Sequence, residues 1–593
     1  MVKRFLITTP IEETWPSDNE PVLFLGEWCK LYRRKERWEQ LGTKTASYHW
    51  DDRVKLAGDY RYLQKLHEIL LHELSQRLNQ LHQVDHSVRY WRIVIGPWLG
   101  YFTQMLFDRW FMLQLVVEGG LVGTCKIVDR DALSLIPNDM GDFHQLFPND
   151  VWNEAIYGQL LEKYWSDSIE ISRIDGSDEN PCAVLPYNGW KQSLRSAAIG
   201  LINWSNSIVT RESDYFFISS YLPAQFEIAL QFRLGQLPQL WRSKSVPKVK
   251  PELSWREWRL NGGNSGDTGF ERVVREMIPM HLPTLYLEGY KQLVASTIET
   301  SWPKQPKAIF TSNAYSADDF FKVWAAEKVE SGTPLVIGQH GGNFGMTPFA
   351  FYEEQQIKIA DRWLSWGWSD TARPNVRPVG NLKGFGRTVG YDPNGGALMV
   401  EMTMPRYSYH LYSSPIAGQT LDYLDDQFQF IEALPSGLHN QVMVRLYKND
   451  CGWDQKDRWL DKFPDIQLDD GVKNIRQLIQ KCRVFISTYN ATTYLESMCW
   501  NIPTIFFWNP HHWELKDDAT LYFDQLKSVG IFHETPDGAA RQMKLVWDDV
   551  SGWWESPEVQ TARRLFCERF AHIPDEPIKE MLHAMENSHH GIA

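Results

Sequence analysis

Residues 484–508 read VFISTYNATTYLESMCWNIPTIFFW, a knot of hydroxyl and amide side chains set between two apolar strings. Val484 to Ile486 and Thr504 to Trp508 carry the β-branched and aromatic residues of strands buried on both faces. Between them Tyr494, Leu495 and Met498 recur at helical spacing, so the segment reads as strand, polar turn, helix, strand. The knot then falls where the helix begins. The first N–H groups of a helix are unpaired and carry partial positive charge, which places Ser487, Thr488, Asn490, Thr492 and Thr493 to cap it or to complete an anion site. Phosphate is the expected guest. Glu496, one turn into the helix, is placed to accept hydrogen bonds from two neighbouring ribose hydroxyls.

The same unit recurs on both sides of this stretch. After residue 300 the strand-like runs KAIFTSNAY, TPLVIGQHGGNFG, DRWLSWGW, VRPVGN, ALMVEMTMPRY, NQVMVRLYKND, CRVFISTYN and PTIFFW follow one another, most of them separated by enough residues for a crossover helix. Alternation at that spacing implies mostly parallel sheet covered on both faces. VGYDPNGG, at 389–396, reads as a linker. The expected fold is α/β with two Rossmann-like domains: residues 1–390, carrying helical insertions, and residues 391–593, ending in a helix. In the N-terminal half, strands are expected at Phe5 to Thr8 and Val22 to Gly26. Apolar residues at 63, 66, 70, 74, 78 and 81 mark one long amphipathic helix, CKIVDRD reads as a strand ending in acids, and 150–300 reads as mostly helical.

Composition narrows the function classes. A chain of 593 residues exceeds one core. Its net charge of −13 argues against a general nucleic-acid binder. The basic run KLYRRKER at 30–37 reads as a solvated helix face. The 27 Trp supply aromatic surface for a core or for stacking against rings. Seven Cys (Cys29, Cys125, Cys182, Cys451, Cys482, Cys499, Cys567) include no C-x-x-C pair, which speaks for reduced thiols over a zinc site or disulfide framework. The N-terminal apolar stretch is too short for a secretory signal, and the apolar, uncharged run Ile93 to Phe107 contains Gly96, Pro97 and Gly100 and falls short of the roughly 20 residues of a membrane span. The expectation is a cytoplasmic protein, at most peripheral to the inner membrane.

In open α/β sheets, ligands sit beyond the carboxyl ends of strands. Three further polar clusters fall there. GQHGGNFG puts His340 after a strand, for proton transfer or phosphate pairing, with Gly341, Gly342 and Gly345 allowing close backbone approach. Arg406 follows ALMVEMTMP, and Arg445 and Lys448 end QVMVRLYK; Arg offers phosphate a planar fork and Lys a point charge. For a base that takes the proton of an attacking hydroxyl, Glu27 is favoured: it follows an apolar strand, and burial beside the aromatics of EWC would raise its pKa. His340 and Asp142, in NDMGDFHQ, are the other candidates. No P-loop or H-E-x-x-H motif is present, GNLKGFGRTVG does not match the dinucleotide fingerprint, and Asp129 and Asp131 form only a short D-x-D.

The stretches VLFLGEWC, YWRIVIGPWL, FTSNAYSADDFFKVWAAE, IGQHGGNFG, MPRYSY and ISTYNATTYLESMCWNIPTI span most of the chain, and their order resembles the GT-B transferases of bacterial surface-polysaccharide and O-antigen gene clusters. More distantly, it is similar to capsule Kdo transferases and CDP-glycerol glycerophosphotransferases, which often carry a His-Pro pair where this chain has Tyr447-Lys448. The resemblance implies a sugar-nucleotide donor held mainly by the C-terminal domain, a glycan or glycolipid acceptor approached from the N-terminal one, and no catalytic metal or other cofactor. It favours a CMP-activated ulosonic acid. The alternatives are glycerophosphate transfer from a CDP-alcohol and a non-catalytic carbohydrate-binding assembly subunit.

Overall fold

The computed structural model describes residues 3–16, 20–41, 44–176, 206, 209–260 and 269–586. Fifteen strands among them form three sheets, and every strand pairing within these sheets is parallel. The first sheet, in the order β2-β1-β3-β4, comprises β1 (Arg4–Ile7), β2 (Val22–Phe24), β3 (Val122–Asp129) and β4 (Glu170–Asp175). The second runs in chain order through β5 (Phe216–Ile218), β6 (Ile309–Thr311), β7 (Leu335–Gly338), β8 (Arg362–Ser365) and β9 (Val376–Pro378). The third has β10 (Gly396–Val400), β11 (Val442–Arg445), β12 (Gln467–Asp469), β13 (Cys482–Ser487), β14 (Thr504–Phe507) and β15 (Phe532–His533), in the order β12-β11-β10-β13-β14-β15. That is the doubly wound order 3-2-1-4-5-6, whose direction reverses between β10 and β13.

The α/β class with parallel sheets is therefore as expected, with one addition: the N-terminal half holds two sheets. The longest helices sit between β2 and β3. Arg53–His82 contains the expected amphipathic helix, opened by Asp52, whose carboxylate accepts from the N–H groups of Val54 and Lys55 at 2.9 and 3.0 Å. Val88–Val117 absorbs the long uncharged run, Pro97 included, and nearly all of that run is buried against its neighbours. No helix among the described residues is long and apolar enough to cross a membrane.

Tryptophan is core material here. Twelve Trp, among them Trp28, Trp98, Trp302, Trp363 and Trp508, are almost fully inaccessible, and none is among the exposed large apolar side chains. Six described cysteines are free, and Cys182 lies outside the described residues. The chain end ties the sheets together. Helix Pro557–Phe570 packs on the helices of the third sheet, the His572 N–H then donates to Trp366 O at 2.8 Å, and helix Pro577–Glu586 puts Met581 and Met585 into an apolar cluster with Phe310, Val336 and Leu364 of the second sheet.

Candidate active site

The turn after β7 and the turn after β13 touch. Gly342 N–H donates to Thr492 Oγ1 at 2.9 Å, and a Cβ on Gly341 would lie 2.3 Å from that same oxygen. Gly341 and Gly342 have φ of +146° and +78°, open to glycine and strained for other residues. The carboxyl ends of the second and third sheets thus meet at this contact, the place where parallel sheets bind ligands.

On the third sheet's side, the helix Thr492–Cys499 has no side-chain cap, so its first-turn N–H groups remain directed at whatever anion enters. The hydroxyls around it are otherwise engaged. Thr488 Oγ1 donates to Val400 O at 2.9 Å and meets the Tyr423 hydroxyl at 2.6 Å, across the switch point between β10 and β13. Ser487 bonds Tyr489 O, and Thr493 bonds the Tyr489 hydroxyl. Asn490 accepts from the Tyr494 hydroxyl at 2.9 Å, while its buried Nδ2 has no partner. Burial raises the Glu496 carboxyl, against the pull of Lys383, Arg476 and Arg387.

Those cations come from elements that face the helix. Lys383 lies in the turn Leu382–Gly384 just after β9, Arg387 follows it, and Arg476 is in helix Ile475–Ile479 before β13. Burial lowers the pKa of Lys383, and burial with the neighbouring Arg476 lowers that of Arg387. Lys383, Arg387 and Arg476 thus all pull on this one carboxylate, an excess of positive charge that an anionic ligand would neutralise. Lys383 Nζ also stands 4.8 Å from the ring centroid of Tyr221, which follows β5 and is 6.2 Å, centroid to centroid, from His340.

His340 lies beside this charge. Burial, helped by Lys383, lowers its pKa to about 4, so near neutral pH it is an uncharged imidazole. Its Nδ1 has no partner, and neither side-chain atom of the buried Asn343 nearby in sequence has one. A neutral ring with a free nitrogen can take or pass a proton, and an arriving phosphate dianion would shift its pKa upward.

Other expected contacts have different tasks. The Arg406 guanidinium is buried, donates to both carboxylate oxygens of Asp150 at 2.8 and 2.7 Å and to Trp28 O at 2.5 Å, and so joins the first sheet's unit to the third's. Arg445 is paired with Asp469 and donates to Gly471 O and Lys473 O at 2.9 and 2.8 Å, closing the loop after β12. Both forks are thus committed to protein oxygens in place of the expected phosphate. Lys448 stands exposed beyond β11. Glu27 lies in the turn Glu27–Cys29, but only Trp28 and Cys29 of that turn are buried; the Glu27 side chain is 35 % exposed and pairs with Lys30 at 3.0 Å, so the burial expected of a tuned base is missing. Asp142 is held by Lys248 at 3.0 Å. In the D-x-D, Asp129 pairs with Arg173 and Asp131 caps the turn Ala132–Leu135, and no group of side chains among the described residues is arranged to hold a metal ion. The basic run is matched by acids: Arg33 with Asp454 and Asp457, Lys35 with Asp461.

Sequence reasoning passed over Lys383, Arg387, Arg476 and Tyr221. The first two lie in GNLKGFGRTVG, where cations in a glycine-rich loop after a strand were the available signal.

Parallel sheets whose carboxyl ends meet, one of them doubly wound, agree with the expected GT-B architecture. The chain belongs to the LIC12162 family of transferases, whose family model matches residues 4–585. A search of curated proteins gave no match. Among solved structures, it is similar to MurG of Acinetobacter baumannii (12% identity, TM-score 0.29, 51% of this chain and 80% of that one). It is also similar to the wall teichoic acid polymerase TagF (10%, 0.28, 68% and 98%) and to the glycosyltransferase SsfS6 of Streptomyces sp. SF2575 (13%, 0.30, 64% and 99%).

Proposed function

We propose that the protein transfers a glycosyl group from a nucleotide-activated sugar to a surface-glycan or glycolipid acceptor, with the donor held between the turns after β7 and β13. The observation that carries the reading is the docking of Gly342 on Thr492 beside His340, Lys383 and Glu496. Glu496 takes the ribose hydroxyls, while Lys383, Arg387 and the uncapped helix receive the phosphate. These groups stabilise negative charge as it develops on the leaving group, the role that fixed donors and cations play best in a water-poor cleft, and the transfer is proposed to run on this protein charge alone. His340 takes the proton of the attacking hydroxyl, a role moved here from Glu27 because Glu27 is exposed and ion-paired. A CMP-activated ulosonic acid suits the cleft in charge, since its phosphodiester and sugar carboxylate give two anions for three cations. The reaction would run on the cytoplasmic side, with the protein at most peripheral to the membrane that carries a lipid-linked acceptor.

The test is a panel of CMP-, UDP- and GDP-sugars together with CDP-glycerol, with products identified by mass. His340→Ala should lower turnover by at least about 100-fold with nucleotide affinity little changed. Lys383→Ala should weaken nucleotide binding about 10- to 100-fold, and Glu27→Gln should stay near wild type. Near-normal turnover in His340→Ala sinks the assignment of the base. A glycerophosphate product would replace glycosyl transfer with the CDP-alcohol reaction, and nucleotide binding without turnover of any donor would leave a binding subunit.

A further inference from the structure

A second cationic cavity lies at the flank of the second sheet. It has a volume of about 210 Å³ and is lined by Arg362, Arg377, Pro378, Val379, Glu580 and His583, with Ala584. Side chains alternate across a strand, so Arg362 shares a sheet face with Leu364, and Leu364 pairs directly with Arg377 on β9. Both guanidiniums therefore project from the face whose other members, Phe217, Phe310, Val336 and Leu364, are packed in the apolar cluster under helix Pro577–Glu586. Arg362 is fixed there by a hydrogen bond from Nη1 to Ala584 O at 2.5 Å.

Two like charges on one otherwise apolar face need compensation, and little is present. Asp361, next to Arg362, is committed elsewhere, accepting from Arg89 and from Leu335 N–H at 2.8 and 2.7 Å. Glu580 is the one acid in the lining, against Arg362 and Arg377. Burial and the neighbouring Arg377 both lower the pKa of Arg362, as expected of cations that converge without an anion between them. None of its lining residues is among those placed in the candidate active site, and Arg362 opens β8 at the strand end opposite His340 and Thr492.

We propose that this cavity binds a phosphate group through Arg362 and Arg377, and that the bound anion fastens helix Pro577–Glu586 to the second sheet. A phosphorylated small molecule and a phospholipid head group offer the same chemistry.

The experiment uses the full chain with inorganic phosphate as probe, read by hydrogen exchange over 577–586 and 362–379. The background carries Lys383→Ala, so that the active-site cluster does not dominate. Phosphate should slow exchange in both segments severalfold, and the exposed, fold-neutral Arg377→Gln should abolish that slowing. Absence of slowing, or slowing that survives Arg377→Gln, overturns the proposal. Co-sedimentation with phosphatidylglycerol and phosphatidylcholine vesicles separates the sources. Binding to the former that is lost in Arg377→Gln assigns a lipid head group; phosphate protection without vesicle binding assigns a soluble phosphate.

Discussion

The contact between Gly341 and Thr492 gives the sharpest test of the cleft. Gly341→Ala places a Cβ 2.3 Å from Thr492 Oγ1, more than 1 Å inside the 3.4 Å at which ordinary contact begins. It also forces alanine to φ near +146°. The backbone conformation costs about 1–3 kcal/mol, and the overlap about 1–3 kcal/mol more, because Thr492 opens a helix and cannot retreat freely. Thr492→Ala removes the hydroxyl and leaves the Gly342 N–H without its acceptor, at about 1 kcal/mol. The remaining Thr492 Cβ stands 3.4 Å from the new methyl group, an ordinary contact. In the Thr492→Ala background, then, Gly341→Ala should cost the backbone contribution alone. The double mutant should be about 1–3 kcal/mol more stable than the sum of the single changes. Urea titration followed by tryptophan fluorescence measures the cycle, and scattering should show Gly341→Ala, and not the double mutant, with a wider cleft. Additivity within about 0.5 kcal/mol would mean that the two turns do not meet as described.

Arg406→Met should lower stability by about 3 kcal/mol, since it strands Asp150 at a largely buried pair, and should leave nucleotide affinity intact. Loss of nucleotide binding at unchanged stability would return Arg406 to the ligand. Acid should unfold the protein steeply: burial lowers His82, His144, His340 and His512 to about 4 and His281 and His410 to about 3. A folded pKa below the unfolded value of about 6.5 contributes stability that is complete above 6.5 and is lost as pH falls toward the folded pKa, at about 1.4 kcal/mol per pH unit for each group. His410→Phe should therefore narrow the difference in stability between pH 7 and pH 5 by about 2 kcal/mol, and an unchanged difference in parallel urea titrations would refute the burial of a neutral ring.

What the sequence disclosed depended on how far each signal reaches along the chain. β13, the helix Thr492–Cys499 and β14 were legible because the apolar period changes within twenty-odd residues, and the helix Arg53–His82 because its stripe runs for several turns. β5, β12 and β15 span two or three residues each, too few for a period to register. β4 is the pattern EISRID with no fully buried residue, so nothing in it announces a strand. In the second sheet β6 to β9 were legible in the runs after residue 300, whereas β5, about ninety residues before β6, and with it the division of the N-terminal half into two sheets, went unread.

The cations show a different limit. A positive side chain beyond a strand end selected Arg406, Arg445 and Lys448, and the same rule applies equally to Lys383 and Arg387. What divides them is the number of acids within reach. Arg406 has Asp150, 256 residues away in sequence, and Arg445 has Asp469, 24 away and shared only with the exposed Lys473 at 3.6 Å, and each is locked by further bonds to backbone oxygens. Lys383, Arg387 and Arg476 converge on the single carboxylate of Glu496. A matched buried pair is electrostatically complete and has no need of a ligand, whereas an unmatched excess is kept in place against its own desolvation only where something else supplies the anion. Pairing of that kind exists only after folding, so the residue types alone could mark every candidate and could not choose among them; the choice rests on which charges the fold leaves unanswered.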